Sequence, residues 1–202
     1  MKSTLSSVAL ITALSVGASA SVDAETWGLD PSHTEVSITW NHAGFSMQSA
    51  SFTEFSGTLE LDPENVGALS ADFSVAVASV RTAFEPFTGH LQSADFFDAE
   101  TYPDIRFVST SAEQTGDMTA TVTGDMTIKG TTAPVTFDVT VHALGEHPVG
   151  QFFEAYQGTW LGFTATAQIK RSDFGVDNFI PIGSDDVTIE INSEMRQGGF
   201  GG

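Results

Sequence analysis

Apolar and polar residues alternate with period two along most of the chain, the pattern of strands with one buried and one solvated face. Val36, Ile38 and Trp40 alternate with Ser37, Thr39 and Asn41. Phe55, Leu59 and Leu61 share a phase with Gly57, against Ser56, Thr58 and Glu60. The rhythm recurs over 71–77, 105–107, 120–129, 135–142, 161–170 and 187–192, which makes eight segments. Their polar faces are rich in Thr, which suits a solvated sheet surface. Turn-forming residues fall between them at Asp62-Pro63-Glu64-Asn65, Gly116-Asp117, Lys129-Gly130 and Gly183-Ser184-Asp185. One-sided strands at this spacing predict an all-β fold, an antiparallel barrel or a sandwich. An eight-stranded barrel is either packed solid or holds one small ligand.

One stretch departs from the alternation. Over 84–98 the apolar residues Phe84, Phe87, Leu91 and Ala94 follow helical spacing, with Pro86 near the start and Tyr102-Pro103 beyond the end. It predicts a short helical insertion capping one barrel end. Residues 196–202 are Gly-rich and are expected to form a flexible tail.

The first residues combine Lys2, an apolar run over 8–16 and the small residues Ala18, Ser19, Ala20 and Ala24. That order is a secretory signal peptide, and the run is too short to span a bilayer. Cleavage after Ala20 or Ala24 is expected, Ala24 being preferred because a strand-like pattern begins at Trp27. The alternative is an uncleaved N-terminal anchor. Residues 1–24 are read as signal and 25–195 as one β-barrel domain, a usual size for a single domain. There is no cysteine, so neither disulfides nor thiolate chemistry enter.

Twenty-six acidic residues against seven Lys and Arg leave a formal net charge of −19. That excess argues against nucleic acid or an anionic membrane as partner. No Asp-x-Asp-x-Asp-Gly loop, Gly-x-Ser-x-Gly elbow, phosphate loop or His-Glu-x-x-His motif is present. The chain is therefore read as a non-enzyme without cofactor or metal, and His33, His42 and His90 as hydrogen-bonded groups at the barrel rim.

The inward phase contains Ile38, Trp40, Phe55, Leu59, Phe73, Val75, Phe107, Val122, Phe137, Val139 and Phe163, the candidate ligand-binding set. Sixteen Phe stand beside only two Tyr, and rings without a polar tip line a dry cavity without leaving unsatisfied groups. Small residues in the same phase, Gly57, Ala71, Ala120, Ala165 and Ala167, either admit a ligand or accommodate larger neighbours. Periodicity alone does not separate a packed core from a cavity.

Several clusters stand in a distinctive order. They are Trp27-Gly28-Leu29-Asp30-Pro31-Ser32-His33, Trp40-Asn41-His42, His90-Leu91-Gln92-Ser93-Ala94-Asp95-Phe96-Phe97, Tyr102-Pro103, Gly124-Asp125-Met126-Thr127-Ile128-Lys129-Gly130 and Lys170-Arg171-Ser172-Asp173-Phe174-Gly175. Together they resemble the YceI-like family from Trp27 to about Glu194. The resemblance implies a lipocalin-like eight-stranded antiparallel barrel, exported to the periplasm, with a tunnel for an isoprenoid chain or similar amphiphile. His42, His90 and Asp95 are the candidate polar rim. Relatives often carry a basic residue where this chain has Gln92, and charged ones where it has Thr88 and Gly89. With so few cations a pyrophosphate head is disfavoured, and a quinone or other neutral head fits better. The expected function is a carrier of a quinone-like or polyprenyl-like chain. The alternatives are a stress-protective binder of another amphiphile such as a fatty amide, and an enzyme acting on a quinone through His42 or His90. No stable membrane anchor is expected in the mature chain, and a homodimer is compatible with the sequence.

Overall fold

Each of the eight alternating segments falls in a different strand of one closed antiparallel sheet. The computed structural model describes residues 24–200, so the expected signal segment up to Asp23 lies outside the described residues, as do Gly201 and Gly202. Eleven strand segments occur: β1 (Glu25–Leu29), β2 (Glu35–His42), β3 (Ser46–Phe52), β4 (Phe55–Leu61), β5 (Ser70–Ala76), β6 (Val80–Arg81), β7 (Asp104–Gly116), β8 (Thr119–Ile128), β9 (Thr131–Glu146), β10 (Thr159–Lys170) and β11 (Gly183–Gln197). Three pairs are single strands interrupted by a bend. β1 continues into β2, β3 into β4, and β5 into β6. β2 pairs with β3 and β1 with β4 along one long hairpin, while β11 borders β10 on one side and both β1 and β2 on the other. The eleven segments are thus eight strands in simple up-and-down order, and no free edge remains where the ring closes.

The bends lie side by side, and side chains there replace the broken ladder. At the first, Asp30 accepts hydrogen bonds from the Ser32 backbone N–H at 2.8 Å and the Ser32 hydroxyl at 2.6 Å. At the last, the buried Ser79 hydroxyl donates to Ala76 O at 2.7 Å, and Thr53 N donates to Ser79 Oγ at 3.2 Å. Satisfying these groups locally lets the strands kink without leaving buried polar atoms unpaired.

The sequence pattern missed β3, whose run of Ser46, Ser49 and Ser51 hides a buried Ala50 and Phe52. The break expected at Gly183-Ser184-Asp185 lies inside β11, where the register slips between Gly183 and Val187. β11 also runs through Arg196 and Gln197, and Phe200 packs edge-on against Trp160 with centroids 5.7 Å apart. The turn at Lys129-Gly130 is as expected for a two-residue hairpin, with both residues at positive φ.

The helix is shorter than its pattern. α1 (Glu85–Gln92) stops at Ser93, whose hydroxyl donates to His90 O at 2.7 Å. The chain then folds back through turns, with Phe97 N bonded to Leu91 O at 3.0 Å and Asp98 N to Ser93 O at 2.9 Å. Those turns point Phe96 and Phe97 at the barrel interior, where an α-helix would have carried them past it.

Candidate ligand site

The barrel is hollow along its length and narrowed near one end by a tightly packed plug that borders the space. At the β1 end, Trp27, Leu59, Leu61, Ala71, Leu161 and Met195 form a dense cluster, with Trp27 Nε1 donating to Leu61 O at 3.2 Å. At the α1 end, Val36, Ala50, Phe52, Val80 and Leu91 pack together. Between and around them runs a cavity of about 530 Å³, within the usual size of small-molecule sites.

All eleven inward residues singled out above line it. His42 and His90 reach it at the α1 end. Asp95 does not; it stands behind His90, its Oδ2 3.2 Å from His90 Nε2. His90 is also ringed edge-on by Phe96 at 4.9 Å and Phe179 at 5.6 Å between centroids. The lining extends at the far end to Pro63, Val66, Leu69 and the β7–β8 turn at Met118.

The small inward residues divide by role. A methyl on Gly57 would stand 2.1 Å from the Phe73 ring, so that glycine makes room for its neighbour. Ala71, Ala120 and Ala165 border open space in the cavity, whereas Ala167 is buried outside it.

Sequence reasoning did not assign Phe87, Phe96, Phe97, Phe174, Phe179 and Ile182 to the lining. They lie in α1 and the loops, where period-two alternation carries no signal. The apolar run Phe179-Ile180-Pro181-Ile182 inside an acidic loop was the available hint.

The comparisons with known proteins agree with this geometry. A family model described as the YceI-like domain matches residues 27–195. The chain belongs to the YceI-like family. A UPF0312 protein of Pseudomonas putida (strain F1) is 36% identical over 178 residues, covering 87% of this chain and 88% of that protein. Protein YceI of Escherichia coli O17:K52:H18 is 33% identical over 165 residues, covering 82% of each. Among solved structures, Burkholderia cenocepacia BcnA superposes with a TM-score of 0.72 at 28% identity, over 82% of this chain and 98% of that one. A polyisoprenoid binding domain from Saccharophagus degradans shares the fold, with a TM-score of 0.61 at 12% identity over 85% of this chain and 98% of that one.

Electrostatics in this YceI-like barrel keep most charges out of the cavity lining, with Asp117 at the β7–β8 turn and Arg171 the exceptions among the described residues. Arg106 pairs with Asp72 on the outer wall, Lys170 lies 3.0 Å from Asp186, and Lys129 donates to Ala94 O at 2.8 Å. Among the described residues, Arg171 is the one Lys or Arg that lines the cavity. It is buried, and its guanidinium donates to the carbonyls of Ser184 (3.0 Å), Val176 (2.6 Å), Asn178 (2.9 Å) and Gly183 (3.0 Å). Burial lowers its pKa, against the pull of Asp185 and Asp177. Arg171 thus serves mainly to fold the β10–β11 loop over the barrel end.

His33 lies at the first bend, outside the cavity lining. Its Nδ1 is 2.8 Å from Asp30 Oδ2, and its ring meets Tyr156 edge-on. Glu194 is close by, but Asp30 already accepts from Ser32 and His33, so the group reads as a structural pin. The hydrogen bond to Asp30 raises the His33 pKa. Burial pushes Asp30 up, yet the bonds from Ser32 and His33 outweigh it and leave its pKa lowered.

The sign of the pH effect follows. The raised His33 stabilises the fold below its unfolded pKa near 6.5, and this is lost as pH rises through the folded value. The lowered Asp30 stabilises above its unfolded value near 3.9, and this is lost as pH falls through the folded value. The pair therefore contributes most between about pH 4 and 6.5. His33 is half-exposed, so the contribution is held to about 1 kcal/mol or less. Thermal melts of the wild type and His33→Gln should differ most at pH 5 and converge by pH 8.5. A difference independent of pH would remove the ion pair from the account.

Proposed function

We propose that this protein is an exported carrier that holds an isoprenoid chain, with a quinone-like or other neutral head, inside the barrel. The observation that carries the reading is the apolar cavity running along a closed barrel, lined predominantly by Phe, Val, Ile and Leu with few polar groups. A dry wall of this kind gains up to about 0.8 kcal/mol for each methylene it takes from water, less the tail's lost freedom. Membership of the YceI-like family supports a binding role, and the Saccharophagus domain is a polyisoprenoid binding domain whose likeness to this chain is one of fold.

The neutral head rests on the cations. Pyrophosphate needs several charge-assisted donors. Among the described Lys and Arg residues only Arg171 faces the cavity, and four carbonyls already occupy it. His42 and His90 supply polar contacts suited to a carbonyl or hydroxyl head at the α1 end. Holding such a molecule requires no reacting group. Residues 1–24 act as a cleaved signal and place the barrel in the periplasm, where an insoluble chain needs a carrier through water.

Mass spectrometry of lipid co-purified with the protein tests the reading. An isoprenoid with a neutral head is the expected species, and a short quinone should bind more tightly than a prenyl pyrophosphate at moderate salt. Tighter binding of the pyrophosphate would overturn the neutral head, and a lipid-free protein that takes up neither would overturn the carrier.

A further inference from the structure

The surface around the cavity mouth at the α1 end carries six of the eleven large apolar side chains exposed among the described residues; Met118, Leu144, Phe152, Phe153 and Phe200 are exposed elsewhere. Phe45 is 92% exposed at the tip of the β2–β3 turn, and Met47 is 64% exposed beside it. Phe84, Phe179, Ile180 and Ile182 are exposed on neighbouring loops. The two main segments are tied together, since Ala43 N donates to Ile182 O at 2.7 Å and Gly183 lies opposite His42. The turn is held firmly: Gly44 N donates to Asn41 Oδ1 at 2.7 Å and Phe45 N to His42 O at 2.9 Å. Phe45 is thus presented outward by an ordered turn. Phe179 and Ile182 belong to both surfaces, lining the cavity as well as the rim.

The two segments that form the main part of the rim carry no charge, although Glu85 and Asp95 are exposed on and beside α1. Positions 36–53 and 178–184 contain no Asp, Glu, Lys or Arg in a chain whose net charge is −19. Carboxylates keep much of the remaining surface solvated, and they are absent from the β2–β3 turn and from positions 178–184. We propose that this rim docks transiently on a lipid bilayer of neutral, zwitterionic headgroups, so that an apolar ligand passes between bilayer and cavity without crossing water.

Two observations favour a bilayer over a second copy of the chain, the continuity of rim and cavity and the chemistry of the tip. The rim is continuous with the cavity through Phe179 and Ile182, so docking would bring the mouth against the lipid. The six side chains expose roughly 600 Å², at the upper end of the largest apolar patch on a typical monomer, a size that is often functional. A tip of one Phe and one Met flanked by uncharged residues suits shallow insertion into the headgroup region. The overall negative charge sets the lipid type, because anionic headgroups would repel the protein.

This inference goes beyond the carrier reading and can fail separately from it. The ring of strands closes within residues 24–200, so the chain from Ala24 carries the whole barrel without the apolar run over 8–16. That chain is to be sedimented with phosphatidylcholine vesicles, and uptake of a short neutral quinone measured in parallel. Phe45→Ser combined with Met47→Ser touches neither the cavity lining nor the core. The double variant is expected to lower vesicle partitioning about tenfold with unchanged quinone uptake and melting temperature. Replacing about a third of the lipid with phosphatidylglycerol should weaken wild-type binding. Equal partitioning of the two proteins, or none by the wild type, overturns the docking and leaves the carrier reading standing. Partitioning that depends on Phe45 without quinone uptake supports the docking and overturns the carrier. Self-association abolished by the double variant, without vesicle binding, assigns the rim to a second copy and overturns the proposal.

Discussion

Ala165→Trp is expected to lower affinity for an isoprenoid about a hundredfold while leaving thermal stability nearly unchanged. Ala165 sits mid-barrel on β10, paired with Val139 of β9 and Ile191 of β11, and its methyl borders the cavity. An indole there occupies space that a tail would fill. Displacing four or so methylenes at about 0.8 kcal/mol each costs about 3 kcal/mol of binding, a factor of about a hundred. The same substitution reads the interior itself. In a solid core the added ring would force strain of about 1–3 kcal/mol, lowering the melting temperature by about 3–10 °C. A fluorescence titration with a short quinone and a thermal melt decide between these. Full affinity, or a fall in melting temperature of that size, would sink the hollow barrel.

Trp27→Ala is expected to have the largest effect on stability, about 4 kcal/mol, or about 8–16 °C in melting temperature. Trp27 is wholly buried, and its strand pairs with Leu59 on one side and Gln197 on the other, where the ring closes. Removing the indole empties the cluster of Leu59, Leu61, Leu161 and Met195 and frees the hydrogen bond to Leu61 O. Trp40→Ala is the matched comparison. Trp40 is only half-buried, faces the cavity and packs on Phe87 at 6.0 Å, so its loss should cost less than half as much. Urea unfolding of both variants measures this. Equal losses would mean that the β1 end is not the tightly packed plug.

The strands were readable because a half-buried strand writes its burial into a period of two. Val135, Phe137 and Val139 show it most cleanly, since β9 has water on one face and the interior on the other. β3 was not readable, because small Ser and Ala residues let its backbone pack without a contrasting pattern. The loop contribution was not readable either. Phe96, Phe97 and Phe179 reach the cavity through turns, and a turn has no repeat that reveals direction. Their order in the chain identified the family motif but not where the rings point.

The sequence alone determined the all-β class, the inward set from Ile38 to Phe163 and the scarcity of cations. All three depend on local alternation or on composition, which need no knowledge of distant contacts. Only the tertiary structure decided that the inward set surrounds a space of about 530 Å³. Whether facing side chains meet depends on the barrel's width and on long-range register. Phe73 closes over Gly57, whereas Ala71, Ala120 and Ala165 border the cavity. The same holds for the rim: two uncharged segments more than a hundred residues apart become one surface because β2 and β11 are neighbours in the ring.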